Sequence, residues 1–282
     1  MSIMKQSLKA LVAAIGIAGA MSANAYVVGG INFGSALGAA HLETATLAQT
    51  FVNGNGQSAI SYGYVSTVNG NANYCAGGGS CGLYYITTLS GSQNFSGTTV
   101  EFTNAVTTIY FNNSFVNLFN QDSVANLAAI SGMTSWLTLS GHGNLGGGAS
   151  SASVELIGTG TLTGATLGGT GRGLFDVDFA GAGLADVMAR FDTNTVGDAS
   201  GGFADVQLNS SFDNFVLNQF DEANHLADGC HDGTAAVGAW CYQGTTNLRG
   251  SVLQIPEPTS VALVGLSLGI VGFVSRRRSA AK

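Results

Sequence analysis

Apolar and polar residues alternate with a period of two along several short stretches of the chain. The sharpest example is Leu174–Phe179, where Phe175, Val177 and Phe179 alternate with two aspartates. Ser58–Val68 shows the same alternation, with aromatic and aliphatic side chains separated by serine and glycine. Because successive side chains of a β-strand point to opposite faces, this period indicates strands with one apolar face. We therefore predict strands at both stretches, with Phe175, Val177 and Phe179 on the same face.

Other stretches combine β-branched and aromatic residues, the composition that strands favour. These further predicted strands are Val27–Phe33, Leu47–Phe51, Leu83–Leu89, Thr98–Phe111, Trp136–Leu139, Ser153–Leu162, Phe203–Phe212, Phe215–Phe220 and Leu248–Leu253. Segments rich in glycine, asparagine and serine separate many of them, which is typical of turns.

A helical period occurs in two places. In Asn120–Ser131, apolar residues recur at spacings of three and four, and Asp122 or Ser123 is suited to cap the first turn. We predict a short helix there. Leu184–Asp192 fits both periods, and we assign it to a strand because the turn-forming sequence Asp192-Thr193-Asn194 follows directly.

Many short strands, 42 glycines and one short helix predict an all-β fold. The expected architecture is a single β-sandwich of jelly-roll type. No internal repeat of fixed period stands out, which argues against a solenoid or a propeller.

The N-terminal residues have the layout of a secretory signal peptide. Met1–Lys9 is basic, Ala10–Met21 is apolar, and Ala23 and Ala25 form a small-x-small cleavage site. The predicted signal peptide is therefore residues 1–25, and Tyr26 is the predicted first residue of the mature protein.

The C-terminal residues combine three features in order. Pro256-Glu257-Pro258, which holds both prolines of the chain, is followed by an uncharged apolar run and then by Arg276-Arg277-Arg278. The seventeen residues Thr259–Ser275 reach the short limit for a helix that crosses a bilayer. Arginines after such a helix are typical of a cytoplasmic flank. We predict a transmembrane helix in this segment.

Together, the tripeptide, the apolar segment and the arginine cluster resemble the PEP-CTERM sorting signal of Gram-negative bacteria, over about residues 255–282. In that family an integral membrane enzyme, an exosortase, is thought to recognise and cleave the signal. The resemblance implies export by the Sec and signal peptidase machinery and a precursor anchored transiently in the inner membrane, with its body in the periplasm. The mature protein, a β-sandwich of residues 26–255, would then reach the cell surface or the extracellular space once residues 256–282 are removed.

A second resemblance lies within the body. Residues 191–195, 201–205 and 210–212 are similar to flocculation-associated PEP-CTERM proteins. Those proteins are implicated in holding cells in an exopolysaccharide floc, so the resemblance implies exopolysaccharide as a partner.

The charge of the body narrows the classes of partner. Residues 26–255 hold three arginines, no lysine and fifteen carboxylates, a formal charge of −12. Such a surface repels phosphate backbones, so we exclude nucleic acid as a partner. Neutral polysaccharide and divalent cations are the remaining classes of partner.

Four cysteines fall into two local pairs, Cys75 with Cys81 and Cys230 with Cys241. Disulfides are the default for an even number of cysteines in an exported chain. Four cysteines allow three connectivities, and we favour the local one because it closes the smallest loops.

Few residues suggest chemistry. Gly78–Gly82 fits G-x-S-x-G, but its serine neighbours a predicted disulfide in a glycine-rich loop, so we interpret it as structural. The weak metal candidates are Asp176 and Asp178, whose spacing suits hard oxygen ligands of Ca²⁺, and His225, His231 and Asp232, which lie close to Cys230. We expect no resident cofactor other than such a Ca²⁺ ion. His41 and His142 lack ligand neighbours in the sequence, and we interpret them as surface or hydrogen-bonded residues.

These observations favour a non-enzymatic surface or matrix protein with a structural or adhesive role in exopolysaccharide, biofilm or floc formation. One alternative is an extracellular hydrolase or lyase that acts on polysaccharide, with acids from the Asp176–Asp232 half. Another is a calcium-dependent carbohydrate-binding module.

Overall fold

The computed structural model describes residues 26–34, 38–217, 220, 230 and 234–253. The predicted signal peptide and the whole sorting segment, with its predicted transmembrane helix, lie outside these residues. Within the described ranges, no helix has the length and apolar character required to cross a membrane.

The described residues form mainly β-strands, as the alternating pattern predicts. The elements in chain order are β1 Val27–Val28, β2 Ile31–Asn32, β3 Ala39–Thr50, β4 Ala59–Val68, β5 Gly82–Gln93, β6 Thr99–Asn112, α1 Ser123–Ser131, β7 Thr134–His142, β8 Leu156–Thr161, β9 Gly168–Val177, α2 Ala185–Phe191, β10 Val196–Gly197, β11 Phe203–Ala204, β12 Val206–Asp213 and β13 Trp240–Ser251.

The main sheet closes on itself. Its strands follow the order β12-β13-β3-β4-β5-β6-β7-β9, and β12 pairs with β9 to complete the ring. Every pairing in it is antiparallel. The predicted β-sandwich of jelly-roll type is therefore wrong, because one closed sheet replaces two facing sheets. Closure pairs the edges that an open sheet would leave exposed.

β7 and β8 share one position in the ring. β7 pairs with β6 from Val106 to Phe111, and β8 pairs with β6 from Thr99 to Phe102. Glu155 fills the gap between the two pairings, since its carboxylate accepts from the backbone N–H of Ala105 at 2.8 Å. Burial raises the pKa of Glu155 despite this hydrogen bond. The chain between β7 and β8 thus makes an excursion over the outer face without opening the ring.

The interior of the ring is apolar with a band of hydroxyl groups. Leu42, Leu248 and Leu208 are directly paired across β3, β13 and β12, and all three are buried. Beside them, Tyr85 shares a hydrogen bond of 2.6 Å with Thr46. Burial raises the pKa of Tyr85 to about 12, so its hydroxyl stays protonated and bonded to the neighbouring threonines.

Helix α1 covers the outer face of β4 and β5. The predicted cap is confirmed, since the carboxylate of Asp122 accepts from the backbone N–H of Ala125 at 2.7 Å. Ile130 of the helix packs with Tyr62 and Tyr84, which face outward from the sheet. The Ser123 hydroxyl lies 2.9 Å from the hydroxyl of Tyr62. These strands are consequently buried on both faces.

A second aromatic cluster covers β7. The indole of Trp136 lies 5.5 Å from the ring of Phe191 and 6.5 Å from that of Phe33, centroid to centroid. Its Nε1 donates to the carbonyl of Gly29 at 3.0 Å. Gly29 has a φ of 52°, and a Cβ there would collide with this indole, so the position requires glycine.

Three local predictions are wrong. The described residues of the predicted strand Phe215–Phe220 lie in a loop and a turn after β12 rather than in a strand. Leu184–Asp192 contains helix α2 rather than a strand, because Val187, Met188 and Phe191 bury one helical face. Phe179 does not share the inward face of Phe175, since β9 ends at Val177 and Phe179 is 57% exposed in the turn that follows.

Candidate functional site

Both predicted local disulfides are confirmed. Cys75 and Cys81 are joined with a Cα–Cα distance of 5.6 Å, and Cys230 and Cys241 with one of 5.1 Å. The first disulfide closes a loop that holds the 3₁₀ turn Ala76–Gly78. The serine of the G-x-S-x-G pattern lies in this loop, without the strand-to-helix turn that a nucleophile elbow needs.

The metal candidates are not brought together. His225, His231 and Asp232 lie outside the described residues. Asp178 accepts a hydrogen bond from Ala180 in the turn after β9, and Asp176 lies against His142 instead of a carboxylate neighbour. In the part of the chain that the structure describes, no group of three or more histidine, cysteine, aspartate or glutamate residues is suited to hold a metal ion.

His142 lies between two carboxylates, a contact that sequence reasoning missed. Its Nδ1 is 2.8 Å from an oxygen of Asp176, and its Nε2 is 3.1 Å from an oxygen of Asp198. A ring that donates from both nitrogens carries a proton on each, so it is an imidazolium. Both carboxylates favour the protonated ring, so the three side chains form an ion cluster when His142 is charged.

The charges of this cluster shift its pKa values in opposite directions. Burial opposes the charged form of His142, but the hydrogen bonds to both carboxylates outweigh it and raise the His142 pKa. The hydrogen bond from His142 lowers the pKa of Asp198 to about 2. The cluster therefore fastens the segment around Asp198 to the end of β7 in the acidic to neutral range.

Two further carboxylates anchor loops. Asp205 is buried and accepts from the backbone N–H groups of Thr193 and Asn194, each at 2.7 Å, and of Val177 at 2.8 Å. Glu101 is also buried and accepts from the backbone and side chain of Ser150. Burial opposes ionisation of Glu101, but these hydrogen bonds outweigh it and lower its pKa. Both carboxylates are committed to structure.

The outer face of β9, β12 and β13 differs from the covered faces. Eight of its outward side chains that are not buried form what we name the polar face: Thr170, Arg172, Gln207, Asn209, Ser211, Thr245, Asn247 and Arg249. Ser211 and Thr245 share a hydrogen bond of 2.9 Å across the strands. Six of these eight side chains are amides or hydroxyls and two are arginines, while the outward carboxylates of the same strands, Asp176 and Asp213, lie near the strand ends.

A groove of about 340 Å³ runs along one side of the polar face. Its lining residues are Gly147, Ile157, Thr159, Thr170, Gly171, Arg172, Asn209 and Ser210. The excursion between β7 and β8 contributes the glycine wall, which the guanidinium of Arg172 holds by donating to the carbonyl of Gly146 at 2.7 Å. Gly146 and Gly147 have φ values of 62° and 55°, so this wall depends on glycine.

Comparison with known proteins identifies the tail and leaves the body without a match. Residues 254–278 match the family described as PEP-CTERM protein-sorting motif. No curated protein and no solved structure matches the chain. The predicted resemblance of the C-terminal segment is therefore confirmed, and it implies an exported, membrane-anchored precursor. The chain carries the PEP-CTERM protein-sorting motif, which designates exosortase as its processing partner.

Proposed function

We propose that the body is a non-enzymatic surface or matrix protein that binds neutral exopolysaccharide through the polar face. In this role it contributes to the cohesion of a biofilm or floc after export. The observation that carries the proposal is the uncovered sheet surface of hydroxyl and amide side chains across β9, β12 and β13.

The chemistry of the polar face suits sugar hydroxyls. Amide side chains such as those of Asn209 and Asn247 donate and accept hydrogen bonds, as do the hydroxyls of Ser211 and Thr245. Asn209 pairs directly with Asn247, and Ser211 pairs directly with Thr245. The strands are about 4.8 Å apart, and the two pairs follow each other at about 6.8 Å along them. An extended chain of sugar units can follow these neutral pairs along the strands.

The groove supplies a place where one sugar ring can enter. Its volume of about 340 Å³ lies within the range of small-molecule sites in proteins, about 300–1,000 Å³. Asn209 and Thr170 line it with polar groups, and Ile157 supplies an apolar surface. The guanidinium of Arg172 donates hydrogen bonds to loop carbonyls, so its donors are not directed at a ligand in the groove.

The hydrogen bonds that the carboxylates accept within the protein support a non-enzymatic role. A glycoside hydrolase needs two carboxyl groups on either side of a glycosidic bond. Asp176 and Asp198 both lie on His142, while Asp205 and Glu101 accept hydrogen bonds that fix loops. None of these four faces another across the groove.

The test is binding of the purified protein to neutral polysaccharide from the matrix of its host. The double variant Asn209→Ala/Asn247→Ala should weaken binding about tenfold, because two polar contacts are lost. Asn73→Ala/Asn113→Ala, which removes two amides away from the polar face, is the matched control and should bind as the parent does. Equal binding by both variants, or release of reducing sugar on incubation, would overturn the proposal.

A further inference from the structure

The interior of the closed sheet contains a cavity that the polar face does not use. Its volume is about 60 Å³, and it lies at the end of the ring where β3 ends and β4 begins. Inward side chains from strands around the ring line it, among them Ser61, Thr87, Phe102 and Leu208. We refer to it as the inner cavity.

Two glycines create the inner cavity. Gly158 and Gly171 are direct cross-strand partners on β8 and β9, and both line the space. Neither has a φ in the left-handed region, so their backbone does not require glycine. A Cβ at Gly158 would meet only a methyl group of Val100 within van der Waals range, at 3.1 Å, besides a backbone oxygen at 3.9 Å.

Neighbouring glycines of the same hairpin are different. Gly160 has a φ of 154°, and a Cβ there would collide with the backbone of Gly168. A Cβ on Gly169 would likewise collide with the backbone carbonyl of Thr159. The path of the chain requires these glycines, whereas a Cβ at Gly158 would meet a side-chain methyl and one at Gly171 would meet the movable hydroxyl of Ser210.

One part of the lining offers unused polar groups. Gln49 and Ser61 are cross-strand partners, and Ser210 lies opposite Gly171. All three side chains line the cavity, and none has a hydrogen-bond partner among the described residues. In contrast, the hydroxyl of Thr87 is bonded to Thr107 at 2.8 Å. Polar groups that line this space without a protein partner are available to a ligand.

The other part of the lining is apolar. Val52, Phe95 and Leu162 lie where the loops at this end of the ring meet, and Leu89 and Phe102 continue the apolar wall inward. No charged side chain is among the lining residues. An ionised ligand would therefore lose its hydration without gaining a counter-charge.

We propose that the inner cavity binds a small uncharged amphiphile, such as a short-chain alcohol. Its hydroxyl would bond to Gln49 and Ser61, and its alkyl chain would lie against Phe95 and Leu162. A volume of about 60 Å³ accommodates roughly four to six non-hydrogen atoms, if each needs the space of about one water probe. Longer chains would extend towards the loops.

The experiment is calorimetric titration of the protein, purified from the host that exports it, with 1-butanol, 1-pentanol and 1-hexanol. Each added methylene should tighten binding about fourfold until the cavity is full. Pentanoate, which matches pentanol in length but is charged, should not bind. Gly171→Ala should weaken pentanol binding at least about tenfold, since the added methyl must displace the Ser210 hydroxyl into the cavity.

Gly197→Ala is the matched control, because Gly197 has open space around it and lies outside the cavity. It should bind pentanol as the parent does. Where Gly171→Ala does not fold, Gly158→Ala tests the same space with a smaller displacement. Absence of alcohol binding, equal binding of pentanoate, or unchanged affinity in a folded cavity variant would overturn the proposal. Polysaccharide binding should be unaffected by Gly158→Ala, because Gly158 lines the inner cavity and not the groove beside the polar face, and this separates the two sites.

Discussion

The outer faces of β5 and β12 show two ways in which one closed sheet meets its surroundings. On β5, Tyr84 points outward beneath α1 and Tyr85 points into the ring, and both are buried. On β12, Leu208 is buried inside the ring, while its neighbours Gln207 and Asn209 face outward in the polar face. The covered strand therefore has consecutive apolar residues, and the uncovered strand alternates.

The difference separates stability from recognition. Burial of apolar area is the main favourable contribution to folding, so the covered faces hold most of the stability of the outer surface. The uncovered face contributes little to the free energy of unfolding, so its side chains can differ without loss of the fold. The expected effects of substitution should therefore depend on which face is changed.

The largest effect is expected in the covered region at Trp136. Trp136→Ala removes a fully buried indole from between Phe33 and Phe191 and leaves a cavity. The free energy of unfolding should fall by about 3–5 kcal/mol, measured by chemical denaturation. Phe179→Ala, an aromatic truncation at an exposed site, is the control and should change it by less than about 0.5 kcal/mol. A Trp136 loss as small as the control would break the comparison.

A smaller effect, dependent on pH, is expected where His142 fastens the segment around Asp198. The raised pKa of His142 means that its contribution is fully present below pH 6.5 and is lost as pH rises through the folded-state pKa. The pKa of Asp198, lowered from 3.8 to about 2, means that its contribution is present above pH 3.8 and is lost as pH falls. Stability from the cluster should therefore be greatest between these limits.

His142→Gln tests this by removing the charge. Thermal unfolding of the variant across pH 3 to 9 should lack the fall in melting temperature that the parent shows above neutral pH. His41→Gln, on β3 beside the polar face, should keep that fall. A parent profile that stays flat above pH 6.5 would count against the cluster.

The smallest effect is expected on the polar face. Asn247→Ala should change the free energy of unfolding by less than about 0.5 kcal/mol, because its neighbours remain solvated. Asn126→Ala, the same substitution beneath the covered face, should cost about 1–3 kcal/mol, because Asn126 is buried and donates to the carbonyl of Leu118 at 3.0 Å. Denaturation curves of both variants measure the difference, and similar losses would remove the distinction between the faces.

Local signals in the sequence predicted local structure. Period-two alternation located most strands, and the side chain of Asp122 located the start of α1. The same alternation occurs in sandwiches and in closed sheets, so it could not reveal that β12 pairs with β9. The apolar residues of Leu184–Asp192 fit both the helical and the strand period. The helix is the observed structure because it buries Phe191 against Trp136, a contact distant in sequence.

The functional elements divide in the same way. The sorting motif is contiguous, and each disulfide joins cysteines close in sequence, so both were predictable. The cluster of His142, Asp176 and Asp198 joins residues 34 and 56 positions apart, and the polar face needs the register of three strands. Such assemblies depend on pairing that no local pattern specifies.

The pairing of β3 with β13 has a consequence for the timing of folding. Thr44 and Thr246 are hydrogen-bonded neighbours in this pair although they are 202 residues apart. β13 ends at Ser251, and the sorting motif begins at residue 254. Because a chain emerges with its N-terminal end first, β3 must wait for nearly the whole polypeptide before the ring can close. The last strand of the ring and the sorting motif therefore leave the ribosome almost together, so the ring cannot close until synthesis has nearly reached the motif.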